Sequence, residues 1–119
     1  MRCSIHLDGD ALRHNYREFQ KLSVPSTVIP VIKSNAYGHG LAEIYAGLKP
    51  MDPPWLGVNY LAEAAELRSL GYQKRILVVG PINPSDLLRA AELDLDIFLG
   101  EEQTLEKWCL LPREKQTRA

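Results

Sequence analysis

A lysine directly follows a run of apolar, mostly β-branched residues and precedes a glycine-containing turn. The run is Val28–Ile32, the lysine is Lys33, and the turn contains Gly38 and Gly40. A lysine at the carboxyl end of a buried strand lies where βα folds place their active sites. Its amine can attack an aldehyde once it has lost its proton, and the glycines together with the N–H groups opening the next helix suit a phosphate. These residues predict an imine-forming lysine beside a phosphate site.

Both features also have simpler structural explanations. Lys33 could extend its ammonium group into water where the strand meets the surface, and glycines mark ordinary βα turns just as often. The spacing alone therefore leaves the functional and the structural interpretations open.

The elements that must position these residues alternate along the chain. Apolar runs predict strands beginning near residues 28, 55, 76 and 95, and helical spacing predicts a helix before the first strand and after each of the four. The first helix is predicted to begin near Asp10, whose carboxylate can cap it, and Gly71 to end the helix after the second strand. The polar tail, residues 113–119, is predicted to fray. Such alternation predicts a parallel sheet, either open and doubly wound or half of a closed (β/α)₈ barrel.

Composition excludes several classes of protein. The 119 residues are 45% apolar and 24% charged, with a formal charge of -1, so a nucleic-acid partner is not expected. No apolar run approaches the roughly 18 residues of a membrane span, and the N-terminus lacks the apolar core of a secretory signal, which predicts a cytoplasmic protein. Cys3 and Cys109 are expected to be free thiols. His6 and His14 have no partners at metal-ligand spacing, so no metal is expected.

Three stretches of the sequence resemble the pyridoxal-phosphate-dependent alanine racemases. Residues 33–40, K-S-N-A-Y-G-H-G, are similar to the family's K-A-N-A-Y-G-H-G, with Ser34 the single departure. Residues 7–15, L-D-G-D-A-L-R-H-N, are similar to the family's I-D-L-D-A-L-R-H-N, with Gly9 as the substitution. Residues 57–80 resemble the second and third βα units, and the likeness weakens after residue 100. The resemblance implies that residues 1–119 form the N-terminal half, about four βα units, of a TIM-type barrel that binds pyridoxal phosphate, with the C-terminal domain absent.

The same resemblance implies a function and a set of roles. The family interconverts L- and D-alanine and so supplies D-alanine for peptidoglycan. It implies that Lys33 is the Schiff-base lysine and one of two catalytic bases, and that Tyr37 contacts the cofactor phosphate. Full-length relatives are homodimers in which the second base, a tyrosine, crosses the interface, and a later arginine faces the pyridine nitrogen. Neither can be identified in this sequence, so a truncated fragment with little activity of its own is expected.

Other polar residues near the motif are predicted to serve the structure. His39 is expected to bond the local backbone, and Asn35 to orient the loop. The structural alternative for Tyr37 is a core aromatic packed beneath the turn. The remaining carboxylates are expected to cap helices (Asp8, Asp10) or to lie on solvated helix faces (Glu63, Glu66, Glu101, Glu102).

Three other functions fit the sequence. The chain could be a module that holds pyridoxal phosphate through Lys33 without turning over an amino acid. It could belong to an enzyme with another reaction on the same barrel, such as a decarboxylase or a racemase for serine or lysine, although the N-A-Y-G-H-G run argues against decarboxylases. It could also be an inert fragment that folds only with a partner, because a half barrel leaves strand edges bare.

Overall fold

The strands of the computed structural model form one parallel sheet, and the model describes residues 2–119. Within that range the sheet has three strands in the order β1, β2, β3, namely Trp55–Val58, Arg75–Val78 and Leu95–Ile97. The helices are α1 (Gly9–Ser23), α2 (Lys33–Tyr37), α3 (Leu41–Leu48), α4 (Leu61–Ser69), α5 (Leu87–Glu92) and α6 (Glu102–Leu110). Short 3₁₀ turns occupy Lys49–Met51, Pro84–Asp86 and Arg113–Lys115. The alternation of strands and helices predicted from the apolar pattern is confirmed.

The first predicted strand is only partly formed. It runs parallel to β1, but Val31 alone pairs with it, opposite Gly57. The Gly57 N–H donates to the Pro30 carbonyl at 2.8 Å, and the Ile32 N–H donates to the Gly57 carbonyl at 2.8 Å. Pro30 has no N–H of its own, so the ladder cannot extend through it. The segment therefore lies in the place of a first strand with a single bridge.

The tail is held against β3, and the predicted fraying is wrong. The Ile97 N–H donates to the Arg118 carbonyl at 2.9 Å, and Asp96 and Arg118 form a parallel bridge. Thr117 is buried, and its hydroxyl donates to the Leu95 carbonyl. The polar tail is ordered because each of these groups finds a partner along β3. Five parallel segments thus lie side by side, from Val31 to Arg118.

The two faces of the sheet differ. On one face, aligned side chains from β1, β2 and β3 are fully or almost fully buried under the helices: Leu56, Val58, Ile76, Val78, Leu95 and Ile97. On the other face Val31 is 45% exposed, and Phe98, just beyond β3, is 58% exposed. A doubly wound sheet has helices on both faces, whereas a barrel sheet has helices only outside. The one-sided cover therefore favours the barrel.

The predicted turn and cap residues are found where expected, except that the cap of α1 lies two residues earlier than predicted. Gly71 adopts the left-handed conformation predicted for it, with φ +95°. The cap of α1 is Asp8, which accepts from the Ala11 N–H at 2.9 Å, while Asp10 pairs with Arg13 at 2.7 Å. No helix in residues 2–119 has the length and apolar character that a membrane crossing requires. Both cysteines are free and exposed.

Candidate active site at the carboxyl ends of the strands

Lys33 lies where the sequence predicts it, directly after the buried Ile32 at the carboxyl end of the first extended segment. The side chain is half-buried, and its Nζ atom lies 6.0 Å from the centre of the Tyr37 ring. Across residues 2–119 no carboxylate forms an ion pair with it. The amine is therefore not neutralised by the residues around it and remains available to a ligand.

The backbone after Lys33 forms a left-handed helical turn, which the sequence did not predict. Ser34, Asn35, Ala36 and Tyr37 have φ values of 55°, 52°, 51° and 53°. None is a glycine, and an L-residue in this conformation costs about 1–2 kcal/mol. Strain of this kind persists only where surrounding contacts enforce it, and it is concentrated at functional sites. The turn thus makes the Lys33 region a candidate site independently of the residue types.

Local hydrogen bonds close the turn. His39 Nδ1 lies 2.8 Å from the Ala36 carbonyl, and Asn35 Oδ1 accepts from the Leu41 N–H at 2.9 Å. The Gly40 N–H donates to the Asn35 carbonyl at 2.9 Å, and Gly40 has a φ of +94° that favours glycine. The structural roles predicted for His39 and Asn35 are confirmed.

Glu63 is the residue whose role the sequence missed. One carboxylate oxygen accepts from the Ser34 N–H at 2.6 Å. The other accepts from the Asn59 N–H at 2.7 Å and the Tyr60 N–H at 3.1 Å. The predicted solvated position is therefore wrong for Glu63. The available signal was its place as the third residue of α4, from which a glutamate can reach back to the N–H groups preceding the helix.

Tyr37 is 69% exposed, so the alternative of a core aromatic is wrong. Its hydroxyl makes no hydrogen bond within residues 2–119 and is free to donate to a ligand. The start of α3 is less suited to an anion than predicted, because the Leu41 N–H is already bonded to Asn35. The Glu43 carboxylate also lies beside Gly40. Of the predicted phosphate contacts, the Leu41 N–H is therefore already taken, whereas the Tyr37 hydroxyl remains available.

An apolar groove of about 740 Å³ runs beside the turn. It lies between α1, the first extended segment and α3, and its lining includes Leu12, Phe19, Ile44 and Tyr37 but not Lys33. The groove therefore reaches the tyrosine of the candidate site and leaves the amine outside.

A parallel sheet covered on one face, with an unpaired lysine at the carboxyl ends of its strands, defines part of a βα-barrel with a candidate ligand site at that end. The sequence profile described as "Alanine racemase, N-terminal domain" matches residues 7–119. This chain belongs to that family, and its fold is the N-terminal portion of a TIM-type barrel.

Individual relatives agree with this assignment. The alanine racemase of Shewanella loihica is 37% identical over 101 residues, which are 84% of this chain and 28% of that protein. The crystal structure of the biosynthetic alanine racemase from Pseudomonas aeruginosa superposes with a TM-score of 0.78 at 34% identity, covering 87% of this chain and 29% of that one. A histidine racemase from Leuconostoc mesenteroides gives 0.76 at 27% identity, covering 83% and 27%. The chain thus spans less than a third of the length of these relatives.

Proposed function

We propose that this chain is the N-terminal part of a pyridoxal-phosphate-dependent racemase that interconverts L- and D-alanine. The observation that carries the proposal is the half-buried, unpaired Lys33 followed by a strained turn that leaves the Tyr37 hydroxyl exposed. Membership of the alanine racemase family supports the same reaction. Domain boundaries follow from the proposal, with residues 1–119 as one partial barrel domain.

The side chains at the site fit pyridoxal phosphate. The cofactor presents an aldehyde and a phosphate, which call for an amine and for hydrogen-bond donors. Lys33 provides the amine and Tyr37 a free phenolic O–H on the same turn. We assign Lys33 to the aldehyde carbon and Tyr37 to the phosphate.

Racemisation requires removal of a proton from the α-carbon on one face and its return on the other. When bound, pyridoxal phosphate supplies the electron sink that makes the α-proton removable. Lys33 takes or returns that proton on its own face. A second base is required on the opposite face, and we assign that role to no residue in 2–119. We therefore expect this chain alone to bind the cofactor and to produce no measurable D-alanine.

The proposed setting follows the family. The substrate is alanine, because the alanine racemase of Shewanella loihica is a sequence relative. The fold does not select the amino-acid side chain, since a histidine racemase shares it. We propose a homodimeric enzyme in the cytoplasm, where D-alanine enters cell-wall synthesis.

The test is covalent labelling of the purified chain. It is incubated with pyridoxal 5′-phosphate, reduced with borohydride and digested, and the labelled lysine is identified by mass spectrometry. We expect the label on Lys33, its loss in Lys33→Ala, and no change in Lys49→Ala, an exposed lysine on a 3₁₀ turn.

Three outcomes discriminate the hypotheses. Label on Lys33 in this chain, together with D-alanine formation by a longer chain that carries the same residues, supports the racemase. Label without any D-alanine from the longer chain supports a cofactor-binding module instead. A folded chain that shows no preference for Lys33 overturns the proposal.

A further inference from the structure

We propose that Glu63 is a positioning residue for Lys33, holding the left-handed turn through the backbone rather than acting on the amine by charge. The inference rests on the proposed function, because positioning matters only if Lys33 bonds a cofactor. Its evidence is separate, however, and consists of contacts made by the Glu63 carboxylate.

Glu63 joins two loops that follow neighbouring segments of the sheet. One oxygen holds the Ser34 N–H at 2.6 Å, directly after Lys33. The other holds Asn59 and Tyr60, directly after β1. One carboxylate therefore fixes the position of the Lys33 turn relative to the end of β1. Hydrogen bonds to an ionised carboxylate are shorter and stronger than neutral ones, which suits a contact that must oppose strain.

Packing anchors the turn at Ala36, which is buried in the core, but it does not anchor the beginning of the turn. The bonds that close it at His39 and Asn35 lie within residues 32–41 and would move with it as a unit. Ser34 is the first residue in the left-handed region and is itself exposed, so packing does not hold it. Glu63 is the side chain from another element that bonds the Ser34 N–H, the first amide of the strained stretch.

Glu63 forms no ion pair with Lys33 across residues 2–119, so its effect on the amine is indirect. Loss of the carboxylate should leave Lys33 reactive. Its amine and the Tyr37 hydroxyl should, however, no longer be positioned to contact the same ligand. Lys33 should then behave like any other lysine of the chain.

The test measures where pyridoxal 5′-phosphate attaches and how fast. The full chain is labelled and reduced as above, and the rate at Lys33 is divided by the mean rate at the other lysines, Lys21, Lys49, Lys74, Lys107 and Lys115. A general loss of stability changes all six rates, whereas loss of positioning lowers the ratio at Lys33 alone. Hydrogen exchange of the Ser34 amide reports the contact itself without any cofactor.

Two variants and one matched control are required. Glu63→Gln keeps the shape but has a single acceptor oxygen, so it cannot hold both loops. Glu63→Ala removes the contact and guards against partial compensation by the amide. Glu66→Gln removes the same charge from the same helix, and in residues 2–119 its carboxylate bonds no backbone N–H of the Lys33 turn.

We expect both Glu63 variants to lower the Lys33 ratio roughly tenfold and to raise Ser34 exchange by a similar factor, with Glu66→Gln unchanged. An unchanged ratio in Glu63→Ala, with preferential labelling in the wild type, overturns the positioning role and leaves the proposed function intact. No preference for Lys33 in the wild type overturns both.

Discussion

At the amino ends of the strands, guanidinium groups connect the loops through hydrogen bonds to carbonyls. At the carboxyl ends, the Glu63 carboxylate connects the Lys33 turn to the loop after β1. Arg68 donates to the carbonyls of Tyr72 and Lys74 before β2, each at 2.8 Å. It also donates to those of Leu93 and Asp94 before β3, each at 2.9 Å. One side chain thus closes two successive βα units.

The charges at the amino ends are paired as well. Asp96 is buried on the open face of the sheet, where both Arg75 and Arg118 bond its carboxylate. The Arg75 guanidinium lies 3.9 Å from the centre of the Trp55 ring, so it is also stacked. At the other end, within residues 2–119, no carboxylate pairs with Lys33 and the Tyr37 hydroxyl makes no hydrogen bond.

This difference separates the stabilising side chains from the candidate site along the strands. In βα barrels the amino-terminal ends carry stability and the carboxyl-terminal ends carry the active site. Here the division is visible in the hydrogen bonding of single side chains. The side chains named at the amino ends are satisfied within the chain, whereas at the carboxyl ends the Lys33 amine has no ion pair and the Tyr37 hydroxyl no hydrogen bond within residues 2–119.

Arg68 is expected to contribute most to stability at the amino ends of the strands. Arg68→Ala removes a donor from four carbonyls, two of them half-buried, and only that of Asp94 has a second side-chain donor, Arg118 at 3.3 Å. We expect a loss of about 3 kcal/mol in the free energy of unfolding. Urea unfolding followed by circular dichroism measures it. The control is Arg89→Ala, an exposed arginine paired with Glu92 at 3.0 Å, which should cost less than about 0.5 kcal/mol. Equal losses in the two variants would contradict the stabilising role of Arg68.

Gly80 tests the packing at the carboxyl ends. A Cβ atom there would collide with the Asn59 carbonyl oxygen, a backbone atom that can move only by shifting the end of β1. We expect Gly80→Ala to cost about 2 kcal/mol, in the range of overpacking. Gly100→Ala is the control, because a Cβ at Gly100 meets no atom within 4 Å. A neutral Gly80→Ala in the same urea titration would show that this edge is loosely packed.

Tyr72 makes the stability of the amino ends depend on pH. Its buried hydroxyl donates to the Pro53 carbonyl at 3.0 Å, and burial raises its pKa above the ordinary value. Because the folded pKa is the higher one, this contribution is complete below about pH 10 and is lost as the pH rises further. Tyr72→Phe should be about 1 kcal/mol less stable at neutral pH and less sensitive to alkali. Urea titrations at about pH 7 and pH 10.5 compare the two proteins. A parallel decline would rule out Tyr72 as the source of the pH dependence.

Patterns that depend on near neighbours were predictable from the sequence. The runs at β1, β2 and β3 were recognised because buried strands are apolar and β-branched, and Gly71 because a left-handed helix end favours glycine. The position of Lys33 at a strand end followed from the same pattern.

Features that depend on distant partners were not predictable. Ser34–Tyr37 contains no glycine, so local preference opposes the left-handed turn that the tertiary contacts impose. In the sequence Glu63 is one of several charged residues on a helix, because its partner Ser34 lies 29 positions earlier in the chain. The sequence predicts a frayed tail because the partners of Thr117 and Arg118, namely Leu95 and Asp96, each lie 22 positions away.

The turn after Lys33 has the handedness opposite to that of an ordinary helical turn, although it is made of L-residues. At φ values near +53° the relaxed enantiomer is the D-amino acid, for which these torsions are the mirror image of the common helical ones. A chemically synthesised chain with D-serine at the exposed position 34 would hold the turn without the steric conflict at that residue. In this short stretch the preferred backbone chirality is that of the product the proposed enzyme would make.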